Sequence, residues 1–219
     1  MRSLVIGASG GIGSALAGAL ASRGEVVRLS RRVDGLDVAD EASVAAVLAG
    51  VTGTFDLVMI ATGALEIGEL RPEKTLRALD PAAMAAQFAV NAIGPVMVLK
   101  HLVRLLPRNR VARVGILSAR VGSIGDNRLG GWYSYRAAKA ALNQLVHTAA
   151  IEIARSHPQA VIACLHPGTV ATPFTAAYAA SHPTVAPEVA AANLIRVLEG
   201  LTAGQTGSFH DWQGTEVPW

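Results

Sequence analysis

Short runs rich in β-branched and aliphatic residues alternate along this chain with longer alanine-rich segments whose apolar positions recur at helical spacing. The short runs predict strands at Ser3–Gly7, Val26–Ser30, a brief Leu36–Val38, Leu57–Ala61, Arg113–Leu117, Val161–His166 and a last one near Ser208–Asp211. The longer segments predict helices near 11–23, 41–49, 82–106, 133–156 and 187–200. Leu57-Val58-Met59-Ile60 and Val161-Ile162-Ala163-Cys164-Leu165 are unbroken apolar runs, as strands covered on both faces require. Strand and helix in strict alternation is the pattern of βαβ units, so the expected fold is α/β: a doubly wound parallel sheet of about seven strands in a single domain. Open sheets of this kind bind their ligands at the carboxyl ends of the strands.

Size agrees with that reading. A chain of 219 residues, 51% apolar, is long enough for a full core without a disulfide or metal staple. Cys164 stands alone, which excludes an intrachain disulfide and a cysteine-based zinc site, and points to a reducing, cytoplasmic setting. The net charge is only +3, and the basic residues are scattered apart from Arg28, Arg31 and Arg32, so no nucleic-acid partner is expected. Residues 1–24 share features with a secretory signal, yet Gly7, Gly10, Gly11 and Gly13 interrupt the apolar stretch where it should be helical. The most apolar later stretch, Met84 to Leu106, carries Gln87, Asn91, Pro95, Lys100, His101 and Arg104, and no membrane span is expected there.

The first predicted strand runs straight into Gly7-Ala8-Ser9-Gly10-Gly11-Ile12-Gly13, and a helix follows. A strand, a glycine turn and a helix N-terminus set free backbone N–H groups and the positive end of the helix dipole against a phosphate. Taken alone, such a turn is also a plain structural connection. The second strand ends in Ser30-Arg31-Arg32. Where dinucleotide folds have an acid at that place it meets a ribose hydroxyl, whereas arginine suits a 2′-phosphate, so NADP(H) is preferred over NAD(H); Asp34 keeps NAD(H) possible.

Tyr135 and Lys139 stand four residues apart at the start of a predicted helix and so share one face. A cation near a phenol stabilises its anion and equips it to exchange a proton with a carbonyl or alkoxide oxygen. Such a pair is also common as surface decoration. In the long central helix, Pro95 lies four residues after Asn91 and withholds the N–H that the Asn91 carbonyl would normally accept, which predicts a kink.

Together these residues resemble the short-chain dehydrogenase/reductase family over nearly the whole chain. The resemblance rests on the glycine turn at 7–13, Asp37-Val38, Val90-Asn91-Ala92-Ile93-Gly94-Pro95, Tyr135-x-x-x-Lys139 and Pro167-Gly168-Thr169-Val170-Ala171-Thr172. The stretch Ser118 to Arg128, followed by Gly-Gly-Trp-Tyr, is similar to the C-factor-like branch. The resemblance implies a Rossmann-type fold and an oxidoreductase that interconverts a small carbonyl and an alcohol. It implies that Tyr135 is the general acid/base, that Lys139 binds the nicotinamide ribose and lowers the tyrosine pKa, and that Asn91 holds a water in a proton relay. It also implies that Asp37 and Val38 meet the adenine, while Pro167, Gly168, Val170 and Thr172 hold the nicotinamide. The cofactor-binding set expected on these grounds is Gly7, Ser9, Gly10, Gly11, Ile12, Gly13, Ser30, Arg31, Arg32, Asp37, Val38, Ala61, Thr62, Gly63, Lys139, Pro167, Gly168, Val170 and Thr172.

Two positions depart from the family pattern. Ile60-Ala61-Thr62-Gly63 keeps only the glycine of the usual Asn-Asn-Ala-Gly. The usual Ser-Ser-x-x-Gly is here Ser118-Ala119-Arg120-Val121-Gly122, so alanine stands where the family carries its catalytic serine. Either Ser118 takes the role after a backbone shift or the role is absent. The second alternative motivates a rival reading, a nucleotide-binding sensor or signalling protein with little turnover.

The remaining chemistry-bearing residues are read more plainly. The histidines have no metal-ligand spacing, although His166, at a strand end, is a candidate substrate contact; Trp132, Trp212 and Trp219 are packing anchors. Pro173 to Pro187, with Phe174 and Tyr178, is expected to form a small lid. The helices at 82–106 and 133–156 imply, by the same resemblance, a homodimer or homotetramer.

Overall fold

The computed structural model describes residues 1–176 and 183–219. Six parallel strands form one sheet: β1 (Arg2–Ile6), β2 (Glu25–Leu29), β3 (Leu57–Ile60), β4 (Ala112–Leu117), β5 (Ala160–His166) and β6 (Phe209–Asp211), in the spatial order β2-β1-β3-β4-β5-β6. Among the described residues seven helices of α type connect them: α1 (Gly11–Ala21), α2 (Arg31–Asp34), α3 (Glu41–Ala49), α4 (Pro81–Phe88), α5 (Gly94–Leu102), α6 (Tyr133–Ala154) and α7 (Pro187–Gly200).

The period-two alternation of strand side chains divides the core into two layers. Leu4, Ile6, Val58, Ile60, Ile162 and Cys164 face a cluster with Val98, Leu99, Leu142 and Val146. Val5, Leu57, Met59, Val161, Ala163 and Leu165 face the other, with Leu16, Leu20, Leu194 and Leu198. The four inner strands, β1, β3, β4 and β5, therefore bury apolar side chains on both sides, whereas the edge strands β2 and β6 do not. Local chemistry sets the helix starts: Asp40 accepts from the Ala42 N–H at 3.0 Å, and Asp80 accepts from the Ala83 N–H at 2.8 Å with Pro81 beginning the helix.

Six strands stand where about seven are expected, and the missing one is Leu36–Val38. After β2 the chain makes the single turn α2, closed by Gly35 in the left-handed region at φ 72°. The Asp37 N–H then donates to Ser43 Oγ and the Ala39 N–H to the Asp37 carboxylate. These local side-chain acceptors satisfy the backbone groups that a strand would have paired, so β2 remains the sheet edge.

The central helix breaks where the sequence places the Asn91/Pro95 pair. A π turn over Ala89–Ile93 separates α4 from α5. By length and mean hydropathy (1.6) the helical stretch Pro81–Leu105 passes for a membrane span, but Ala92, Val98, Leu99, Leu102 and Leu105 are packed in the core against the sheet.

Candidate active site

The carboxyl ends of the strands open onto two cavities, of about 560 Å³ and about 420 Å³, that share Ser9, Gly10, Ala61, Thr62 and Gly63 as a common wall. The glycine turn floors both. Gly7 adopts φ +88°, and its N–H and that of Ala8 donate to the Leu29 carbonyl at the end of β2. A Cβ at Gly13 would press into the Gly7 backbone carbonyl, so glycine is required there, whereas one at Gly11 would come within 2.6 Å of the Thr172 side chain and push it aside. Among the described residues no side chain caps the N-terminus of α1, which opens into the larger cavity at Gly11, Ile12 and Gly13. The Thr62 hydroxyl, buried in the shared wall, has no hydrogen-bond partner among the described residues.

The smaller cavity is lined by Gly7, Ser30, Arg31, Arg32, Asp37 and Val38, together with Leu36, Ala64 and Val90. Ser30 caps α2 by accepting from the Val33 N–H, which leaves Arg31 and Arg32 exposed at its start. Among the described residues neither guanidinium has a partner. Asp34 turns the other way: its carboxylate accepts from the Ser30 N–H at 2.7 Å and lies 3.5 Å from the Ser30 hydroxyl. An acid occupied in capping its own turn is a poor acceptor for a ribose, and cationic chemistry dominates this end.

The larger cavity holds Tyr135 and Lys139, the candidate reacting groups. Tyr135 and Lys139 project from the first turns of α6, 5% and 3% exposed. Lys139 Nζ donates to the Leu117 carbonyl at 3.1 Å and lies 5.9 Å from the centre of the Tyr135 ring. Burial pushes the Lys139 pKa down to about 8 and pushes the Tyr135 phenol above its ordinary value. In the protein alone, desolvation thus outweighs the acidifying effect expected of the neighbouring ammonium. The rings of Trp132 and Phe174 flank Tyr135 at 6.2 and 6.5 Å between centres.

Ser118, at the end of β4, lines this cavity together with Ala119 and Arg120. Its hydroxyl donates to Asn143 Oδ1 at 2.6 Å. Beyond β5, Pro167, Gly168, Val170 and Thr172 line the same space. Gly168, at φ +77°, lies against the Trp212 indole, where a Cβ would approach within 3.0 Å. His166 opens this segment with Nδ1 buried and unpartnered among the described residues; burial pushes its pKa down to about 4, so the imidazole is neutral. Arg120, near it, pairs with Asp126 at 2.5 Å and stands 3.6 Å from Asp211.

Of the predicted site residues, Asn91 alone lines neither cavity. It is fully buried behind Gly63, where its side chain accepts from the Ala64 N–H and donates to the Ala64 carbonyl and to Gln87. A Cβ at Gly63 would lie 2.9 Å from Asn91 Oδ1 and 3.5 Å from Lys139 Nζ, so the three residues converge on one point. Of the expected lid, Phe174 lines the cavity, whereas Tyr178 lies outside the described residues.

Two supporting residues carry no signal in the sequence. Glu73, 7% exposed, accepts from the Ser134 N–H at 3.2 Å and from the Ser134 hydroxyl, and so caps the α6 turn that presents Tyr135. Its own carbonyl accepts from the N–H of Trp132, which sits in the left-handed region at φ 51°. Asn143, 2% exposed, stands behind Ser118. The pairs are 61 and 25 residues apart in the chain, and only the fold unites them.

A family model described as "Enoyl-(Acyl carrier protein) reductase" matches residues 26–200. The chain is 33% identical, over 99% of its length and 98% of the relative's, to the 1-hydroxy-2-glutathionyl-2-methyl-3-butene dehydrogenase of Rhodococcus sp. (strain AD45). It is 37% identical to the C-signal protein of Myxococcus xanthus, over 64% of this chain and 81% of that one. Among solved structures, a short-chain dehydrogenase/reductase from Burkholderia multivorans with bound NADP superposes with a TM-score of 0.81 at 23% identity, covering 100% and 99% of the two chains. An NADPH-bound carbonyl reductase from chicken fatty liver superposes at 0.82 and 22%, covering 100% and 98%. At these identities the likeness is one of fold.

Proposed function

The chain belongs to the short-chain dehydrogenase/reductase family and is an oxidoreductase, and from that premise we propose that it uses NADP(H) to interconvert a small carbonyl compound and an alcohol, with Tyr135 and Lys139 moving the proton. The observation that carries this reading is the continuity of the two cavities: an arginine pair without described partners at one end, an uncapped glycine-rich helix start in the middle, and a buried phenol with a buried ammonium at the other.

The residues present fit a dinucleotide. Gly11, Ile12 and Gly13 offer backbone N–H groups to the pyrophosphate. Arg31 and Arg32 suit the 2′-phosphate, Asp37 and Val38 the adenine, and the unpartnered Thr62 hydroxyl a polar atom along the way. Pro167, Gly168, Val170 and Thr172 would hold the nicotinamide. When bound, the cofactor supplies the hydride. Tyr135 places its O–H against the carbonyl oxygen and gives up the proton as the alcohol forms. Lys139, fixed by the Leu117 carbonyl, keeps a cation beside the phenolate so produced. Asn91, converging with Lys139 at Gly63, would hold the water of the relay that returns the proton. Trp132 and Phe174 give the substrate space an apolar rim, which suits a small or moderately apolar substrate.

The same reading places the enzyme in the cytoplasm, in keeping with its single, buried thiol, and as a homodimer or homotetramer. Ile93, Leu145 and Ile151 are exposed on the helices such an assembly would use.

One observation favours the second reading, a sensor with little turnover: Ala119 offers no donor and the Ser118 proton is given to Asn143. NADPH oxidation against a panel of aldehydes, ketones and quinones separates the two. Turnover that falls at least 10³-fold in Tyr135→Phe, against roughly 10²–10⁴ for an ordinary acid–base group, supports the enzyme. Tight NADPH binding with no turnover on any member supports the sensor.

A further inference from the structure

Among the cavity wall residues Leu117 to Val121, Ser118 carries the one hydroxyl, and its surroundings are only half satisfied. The Ser118 backbone is held in the sheet by its N–H bond to the Leu165 carbonyl at 2.8 Å, so the hydroxyl is its adjustable part. That hydroxyl donates to Asn143 Oδ1 at 2.6 Å, while Asn143 Nδ2, equally buried, has no partner among the described residues. A buried amide N–H group without an acceptor carries its full desolvation penalty. The oxygen and nitrogen of a carboxamide occupy nearly equivalent positions, and a half-turn of the amide exchanges them. After the half-turn, Asn143 Nδ2 donates to Ser118 Oγ, and the Ser118 proton is released to point into the cavity.

We propose that Asn143 is a positioning residue that switches Ser118 from proton donor toward the core to proton donor toward the substrate oxygen. This rests on the carbonyl–alcohol reading above. Both amide orientations keep one hydrogen bond between the two residues. They differ in what the cavity sees: lone pairs of Ser118 in one, its O–H in the other. A carbonyl oxygen near Tyr135 accepts from Ser118 only in the second orientation and therefore selects it. The donor lost at Ala119 is in this way supplied from one position earlier in the chain.

The test is a double-variant cycle on the full chain, read as NADPH oxidation with the panel carbonyl that the wild type reduces fastest. Ser118→Ala is expected to lower kcat by roughly 10²–10³-fold, the usual loss on removing one preorganised donor. Asn143→Asp, whose carboxylate accepts but cannot donate, is expected to lower kcat similarly while leaving KM for NADPH within about twofold. Combining the two is expected to be no slower than Ser118→Ala alone, because Asn143 acts through Ser118. If Asn143→Asp lowers the melting temperature too far to assay, Asn143→Ala takes its place in the cycle with the same expectation of non-additivity. Wild-type kcat in the Asn143 variant, or losses that multiply in the combined variant, would overturn the proposal while leaving the carbonyl–alcohol reading intact. A wild type that binds NADPH and reduces no member of the panel overturns both.

Discussion

The two ends of the crevice are built in opposite ways. The end toward β2 is made of backbone and exposed charge: glycines that leave the backbone bare, a helix start without a side-chain cap, and arginines held only by a four-residue turn. The end toward β5 is made of buried side chains from separate elements, with Tyr135 and Lys139 on α6, Ser118 after β4, Asn91 in the π turn and His166 closing β5. The first end offers backbone N–H groups and exposed guanidiniums, whereas at the second burial sets the ionisation of Tyr135, Lys139 and His166. On the proposed function one crevice separates affinity from chemistry, so substitutions at each end should move different observables.

The largest effect on cofactor affinity is expected at Gly13. A Val side chain there would occupy the Gly7 carbonyl, so Gly13→Val should reduce NADPH affinity at least 100-fold in a fluorescence titration and destabilise the fold by several kcal/mol. Next, Arg31→Ala/Arg32→Ala should weaken NADPH binding by roughly 10–100-fold and leave NADH within about twofold, since each lost charge-assisted bond is worth about 1.5–3 kcal/mol before solvent screening. Equal losses for both nucleotides would blur the distinction between the ends.

At the reacting end the expected signature is a trade of stability against function. Lys139 has its pKa lowered from 10.5 to about 8, so between those values the unfolded chain holds more protons than the folded one, and stability rises with pH across that window. Below it the buried charge is a standing cost. Lys139→Met should therefore abolish turnover and raise unfolding stability at pH 7 by on the order of 1–2 kcal/mol in chemical denaturation. His166 gives a smaller effect of the same sign. Its pKa is lowered to about 4, so stability should fall as pH drops from about 6.5 toward 4, and His166→Gln should flatten that part of the profile. The smallest is a control: Gly18 on α1 is exposed with open space around it, and Gly18→Ala should add about 0.5–1 kcal/mol without touching either end.

The same division governs what the sequence disclosed. The helices expected at 41–49 and 187–200 occur as Glu41–Ala49 and Pro187–Gly200, because Asp40 and Pro187 are local signals. The glycine turn between β1 and α1 is equally legible as a turn, since it is a contiguous stretch whose geometry lies in its own backbone. The strand expected at Leu36–Val38 failed because Ser43 captures the Asp37 N–H and Asp37 that of the adjoining Ala39, a competition that apolar spacing does not register. The kink at Asn91 followed from one missing N–H, but its form as a π turn did not. Glu73 and Asn143 stayed hidden, since each matters only through a partner far along the chain. The spacing of Tyr135 and Lys139 disclosed their shared face but not the burial that raises one pKa and lowers the other.

The most direct test of the division is a paired measurement on Tyr135→Phe: its NADPH dissociation constant and its kcat for NADPH oxidation on the best panel carbonyl. The account predicts a dissociation constant within about twofold of wild type and a kcat lowered at least 10³-fold. A variant that turns over at the wild-type rate, or a wild type with no NADPH uptake at all, would contradict it.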